Sequence, residues 1–223
     1  MTEATTRRGR PPQTQEQAEE VRARIVLATA EVFTRNGSRG LSVAQIIEQA
    51  GLARPTFYRY FGNATEPLHV LLNTSNDGLV DGIGLALTGT DEPVDLGIRL
   101  IDAYLDWAGG HGAMLRPLFA ELHDPGSPVS AYRERALDDI RALVRDRFTE
   151  LGRPVPSPLD LDAALHVCEY VVYRISAGTE PGSEPDPETV AAGRLTMIRV
   201  LLTTLGTRTD LEYAMQLPGI FPV

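Results

Sequence analysis

Ser42-Val-Ala-Gln-Ile-Ile-Glu-Gln-Ala-Gly-Leu-Ala-Arg-Pro-Thr-Phe-Tyr-Arg-Tyr-Phe61 holds two helix signals and the turn between them. Ser42 is a good N-cap residue, and Gln45 comes after it at capping-box spacing, so a short helix is expected from Ser42 to Ala50. Gly51 supplies the left-handed backbone that a tight inter-helix turn needs, and a third helix is expected from about Arg54 to Phe61. Upstream, Ala18, Val21, Ile25, Ala28 and Val32 recur at the three-and-four spacing of an amphipathic helix over Glu16 to Asn36, closed by Asn36-Gly37.

At about 100° per residue, the third helix has two unlike faces. Phe57 and Phe61 define one; with Leu52, Ile46, Ile47 and Phe33 they can make the small core of a three-helix unit. The opposite face carries Arg59, flanked by Pro55 and Thr56. Tyr58 and Tyr60 fall roughly 80° to either side of the core direction, margins from which a hydroxyl can reach the phosphates beside a groove. That division suits a helix inserted into the major groove of double-stranded DNA.

The quoted stretch closely resembles the DNA-binding signature of the tetracycline-repressor (TetR) family of transcriptional regulators, with specific likeness over about residues 20–72. The resemblance implies that Arg54, Pro55, Thr56 and Arg59 face base edges and that Tyr58 and Tyr60 contact phosphates. Ser42 matches a phosphate-touching hydroxyl, and Gln45 is placed to reach the groove; a capping interaction explains both equally well. One position departs from the pattern. Where the family usually has Lys, at the start of the fourth helix, this chain has Ala64, so a phosphate clamp is missing.

The tail Arg7-Arg8-Gly9-Arg10-Pro11-Pro12 is a candidate replacement, because its Arg-Gly-Arg-Pro core looks like an AT-hook. In a narrow A·T-rich minor groove the deepened negative potential attracts Arg. Arg7, Arg8 and Arg10 are therefore DNA-contact candidates, with a merely solvated basic tail as the competing reading.

The net charge of -9 hides an asymmetry. Residues 1–62 carry +3 and residues 63–223 carry -12, so a basic head sits on an acidic body. Attraction for phosphate is thereby concentrated at one end, which orients the molecule on DNA. Every basic residue apart from histidine is Arg, with no Lys, a pattern that genomic base composition explains more simply than function. No apolar run is long enough for a membrane span and no secretory leader is visible, so a cytoplasmic location is expected. The single cysteine, Cys168, excludes an internal disulfide and a multi-cysteine zinc site.

Beyond Phe61, proline marks helix starts, giving expected helices near 66–88, 94–109, 113–123, 128–151, 159–178 and 187–205. The fold class is all-α: a flexible basic arm (1–15), a three-helix helix-turn-helix domain (16–64) and a helical effector-binding and dimerisation domain (65–223). The ligand pocket and the dimer interface of that last domain come from the family resemblance. Tyr104, Trp107, Met114, Phe119, Tyr132 and Cys168 are the pocket candidates, although each also fits plain core. None of them is an Arg or an acid, so the expected ligand is small, hydrophobic and uncharged. In the last long helix, Ala191, Leu195, Ile198, Leu202 and Leu205 make one apolar stripe; Val190, Met197 and Leu201 make a second. Such width suggests burial against a second copy, with a wide core-facing stripe as the alternative.

Nucleophile–base pairs and metal-ligand spacing are not seen among His69, His111, His123, His166 and Cys168. Gly109-Gly110-His111-Gly112 succeeds a helix rather than a strand, so it reads as a helix break, not a phosphate cradle. No enzyme activity, cofactor or metal is expected. The expected function is a repressor that binds an inverted-repeat operator as a homodimer and is released by its ligand. An architectural DNA-binding protein is the competing reading; a solid body core would favour it, and an apolar cavity would oppose it.

Overall fold

The structure is a computed structural model, and it describes residues 14–180 and 183–221. Among these every regular element is helical: α1 (Gln15–Asn36), α2 (Val43–Ala50), α3 (Arg54–Phe57), α4 (Thr65–Thr88), α5 (Pro93–His111), a 3-10 turn (Gly112–Met114), α6 (Leu115–Glu121), α7 (Pro128–Glu150), α8 (Pro158–Gly178), α9 (Pro187–Leu205) and α10 (Arg208–Ala214). The arm residues Arg7, Arg8 and Arg10 lie outside the described residues.

Capping chemistry sets most helix starts. Thr14 and Gln17 form a reciprocal capping box at α1, and Ser42, Ser127, Ser157 and Asp186 cap α2, α7, α8 and α9 through their side chains. Pro93, Pro128, Pro158 and Pro187 occupy first turns, where the missing N–H costs nothing. Three expectations need correction. The third helix stops at Phe57, because bonds from Arg59 to Thr56 and from Tyr60 to Phe57 tighten residues 58–60 into turns. The segment expected as a helix over 113–123 is divided, since Gly112 has φ 49° and the chain makes a 3-10 turn before α6. The short helix α10 was not expected; its capping box, Thr207 with Asp210, is the signal that marks it.

Two sets of buried side chains organise the head and the body. In the head, Ile25, Ala28 and Val32 of α1 pack with Ile46, Ala50, Phe57 and Phe61. Phe33 does not join them: it points the other way and packs with Leu68, Leu72, Leu118 and Leu122 of the body. One helix thus feeds both cores, which ties the head to α4 and α6.

Candidate nucleic-acid interface and effector cavity

The left-handed Gly51 (φ 61°) turns the chain from α2 into α3. Phe57 is fully buried and Phe61 nearly so, and each contributes roughly 1.5–3 kcal/mol of apolar burial. That anchoring leaves Arg54, Pro55, Tyr58 and Arg59 exposed along one edge, with Thr56 and Tyr60 half-buried beside them. Arg54 lies over the Tyr58 ring at 5.7 Å and donates to its hydroxyl over 3.3 Å, so the two side chains are held as a pair. At the start of α2, the Ser42 hydroxyl accepts from the Gln45 backbone N–H (3.3 Å) and donates to Gln45 Oε1 (2.7 Å). The capping role of Ser42 is therefore real, and Gln45 turns back onto its hydroxyl rather than onto its backbone N–H.

In the body, a cavity of ≈ 120 Å³ lies among α4, α5, α6, α7, α8 and α9. Five of the six expected pocket side chains, Tyr104, Trp107, Phe119, Tyr132 and Cys168, line it. Met114 does not: it is buried in the 3-10 turn, outside the cavity wall. Tyr104 and Trp107 stack with centroids 5.7 Å apart, and Trp107 Nε1 donates to the Ser75 carbonyl over 3.0 Å. Burial pushes the Tyr104 phenol well above its usual value, and Glu169 and Cys168 add to the effect; Tyr104 stays a hydrogen-bond donor at any physiological pH.

The expectation of a wall without charged groups is wrong. Arg133, Glu169 and Arg141 line the cavity as well. Arg133 donates from Nε to Glu169 Oε1 (2.8 Å) and from Nη2 to Glu169 Oε2 (2.6 Å), and it also pairs with Glu134. A fourth contact, Nη2 to His166 Nε2 (2.9 Å), requires that nitrogen to accept, because a guanidinium has no lone pair to offer. His166 Nδ1, facing the Asp162 carbonyl at 2.7 Å, then carries the ring proton. This network was missed because its members come from different helices with no spacing to link them.

The expected interface residues also move. Met197 is 0% exposed and Leu201 9%, both packed within the body core, so they cannot meet a second copy. Val190 is half-buried at the start of α9. The wide stripe on α9 reflects a helix gripped on two sides, by α5 and α8. Among the residues that remain outward on α8 are two aromatics: Tyr170 is 60% exposed and Tyr173 is also exposed.

Residues 25–66 match the family model for bacterial regulatory proteins of the tetR family. The reading region is thus that of the tetR family, the match lying almost wholly within the head. Two relatives are similar over part of the chain: the transcriptional activator FasR of Mycolicibacterium smegmatis, 27% identical over 89 residues, and the transcriptional regulator TtgR of Pseudomonas putida, 33% identical over 84. The chain spans 41% and 40% of the length of these relatives, and the matches cover 40% and 38% of this chain. TetR-type folds extend over far more of it. The fatty acid degradation regulator FadR from Bacillus halodurans superposes with a TM-score of 0.65 at 18% identity, covering 84% of this chain and 96% of that one. A tetR-family regulator from Streptomyces coelicolor superposes with a TM-score of 0.62 at 16% identity, covering 91% and 86%. Among the described residues no group of His, Cys, Asp and Glu could hold a metal ion. No helix among them is long and apolar enough to cross a membrane.

Proposed function

We propose that this TetR-family regulator is a cytoplasmic repressor that binds an inverted-repeat operator as a homodimer and releases it when a small, largely apolar effector enters the body. The observation that carries the reading is the pairing of an exposed Arg54–Arg59 edge on a buried Phe57–Phe61 anchor with an apolar cavity inside the same chain. The edge offers base-reading guanidinium groups backed by a rigid core; the cavity offers a second ligand a place to bind. The acidic body argues against DNA wrapping, and the cavity argues against a purely architectural role. The proposed dimer surface is the outer face of α8 with Tyr170, together with the half-buried Val190 of α9, because Met197 and Leu201 are consumed inside the protomer. The arm of Arg7, Arg8 and Arg10 is proposed to supply minor-groove contacts that Ala64 cannot.

Selection of DNA by the purified full-length chain from random oligonucleotides tests the proposal. A palindrome with half-sites about 34–36 Å apart, or somewhat more, is the expected result. A motif without dyad symmetry would refute the dimeric reading.

A further inference from the structure

The apolar cavity does not stand alone. A smaller one of ≈ 50 Å³ adjoins it, and Leu100, Val144, Leu201 and Leu205 line both. The wall of the smaller cavity also holds Arg147, near the end of α7, and Arg153, just beyond that helix. Their terminal nitrogens are committed elsewhere. Arg147 Nη1 donates to Glu150 (3.1 Å), and its Nη2 donates to the Thr90 carbonyl (2.9 Å) and to Asp91 (2.5 Å); both terminal nitrogens of Arg153 are held by Asp210. The Nε of each is buried without a hydrogen-bond partner.

Buried N–H groups are normally satisfied, and an arginine cannot shed its proton to escape the cost. Of the three unpartnered buried side-chain polar atoms among the described residues, two belong to the walls of this one cavity, which is otherwise mostly aliphatic. Two fixed donors in the wall of a cavity that shares aliphatic lining with a larger one call for an acceptor attached to an apolar chain.

We propose that the smaller cavity is the head-group end of the effector site, taking the oxygen of a carboxylate or carbonyl whose apolar chain lies in the larger cavity. The proposal rests on the larger cavity being the effector site, and it replaces the uncharged ligand expected from the sequence with an elongated amphiphile. Asp91 and Glu150 are exposed, at 86% and 65% of the side chain, so solvent screens them. Asp210 also lines this cavity and is nearly buried, but its charge is paired with Arg153, which leaves Arg147 as the cation of the wall without a buried counter-charge.

The test uses the purified full-length protein and three matched probe series of increasing length: straight-chain carboxylates, their methyl esters, and terminal alkenes of the same chain. Binding is read by thermal shift and by calorimetric titration. At the best length the carboxylate, or the carboxylate and ester together, should bind about tenfold tighter than the alkene. Arg147→Met removes one of the two donors and should clearly reduce that preference while leaving alkene binding intact; its carboxylate partners are exposed, so no buried charge is stranded. Preference for the acid alone identifies a carboxylate head, and equal preference for acid and ester identifies a carbonyl. If the three series bind equally, the two N–H groups serve a buried water only and the proposal falls, while the effector reading survives. If no probe binds, the effector reading itself fails. Should Arg147→Met not fold, the wild-type comparison of the three series still decides.

Discussion

The backbone N–H of Ser38 donates to Oε1 of Glu121 over 2.8 Å, joining the turn between α1 and α2 to the last residue of α6. The other oxygen of Glu121 accepts from the Ser127 hydroxyl (2.5 Å), and Arg39 pairs with Asp124 at 2.5 Å beside it. Three residues before Glu121, α6 presents Leu118 to the cavity, and Phe119 comes next. A ligand that shifts α6 therefore pulls on the turn that positions α2.

Glu121→Ala should leave effector affinity nearly unchanged but reduce the effect of the effector on operator binding. A coupling on the order of 1–3 kcal/mol is usual for such switches, and most of it should vanish in the variant. Operator titrations with and without saturating effector measure this; unchanged coupling would show that the signal takes another path.

Replacements on the reading edge should differ in kind. Arg54→Ala and Arg59→Ala each should cost on the order of 1–3 kcal/mol on the selected operator and relax preference at one position. Tyr60→Phe should weaken all sequences about equally. Binding measured on the operator, on single-position variants and on random DNA separates the two patterns. Equal loss on every sequence for the Arg variants would remove them from base reading.

The head was legible in sequence because its signals are local. Ser42, Gly51, Phe57 and Phe61 lie within twenty residues, and the phenylalanines keep their common direction even though the chain tightens after Phe57. The body was legible only as helices. Which face of α9 meets which neighbour depends on α5 and α8, and the Arg133–Glu169–His166 network joins α7 to α8; no periodicity within one helix reports either. A break near Gly112 was readable, but not that α5 would run on through Gly109 and Gly110 to His111, nor that Met114 would be carried by the 3-10 turn out of the cavity wall. The orphan Nε atoms of Arg147 and Arg153 are invisible to any sequence pattern.

Met197→Ala and Leu201→Ala should act on stability, not on assembly. Met197→Ala empties a packed site in the body core and should cost about 2–5 kcal/mol in equilibrium unfolding, whereas Leu201→Ala, at a residue that already lines both cavities, should fall toward the lower end of that range. At temperatures where the variants stay folded, sedimentation should show the same dimer as the parent. Tyr170→Asp should do the reverse, shifting dimer to monomer with little change in the protomer's own unfolding. A monomer produced by Met197→Ala while still folded would return that residue to the interface.

Asp210 gives the body an acid-sensitive element. Burial opposes its ionisation, but hydrogen bonds from Arg153 and from the Thr207 backbone N–H and hydroxyl outweigh that and hold the carboxyl below its usual range. A depressed carboxylate stabilises the fold above its unfolded pKa of about 3.9, and the contribution is lost as pH falls through the lower folded value. Asp210→Ala strands Arg153, which is 17% exposed at its side chain, and should cost up to about 3 kcal/mol at neutral pH. The deficit should persist down to about pH 4 and shrink only below it. Denaturant midpoints of parent and variant across pH 3–7 check this; a deficit that closes by pH 6 would mean another group is responsible.

Cys168 should report on the cavity without any label being engineered. Burial pushes its thiol up to about 12, and the nearby Glu169 adds to the rise. Alkylation needs the thiolate, whose population at pH 8 is then lower than that of an ordinary thiol by on the order of a hundredfold to a thousandfold. The native protein should therefore react with iodoacetamide far more slowly than the same chain in denaturant. The same shift makes a stability term of the opposite sign to that of Asp210. A raised acid pKa stabilises the fold fully below the unfolded thiol value of about 8.5, and the term is lost as pH rises toward the folded value. Alkaline unfolding should accordingly be milder in Cys168→Ala than in the parent once the cost of the missing side chain, the same at all pH, is subtracted. An effector in the larger cavity covers the sulfur and should slow alkylation further, in proportion to occupancy. Native Cys168 reacting at the denatured rate would mean that the cavity opens readily to water, and an effector that binds without protecting the thiol would have to sit elsewhere.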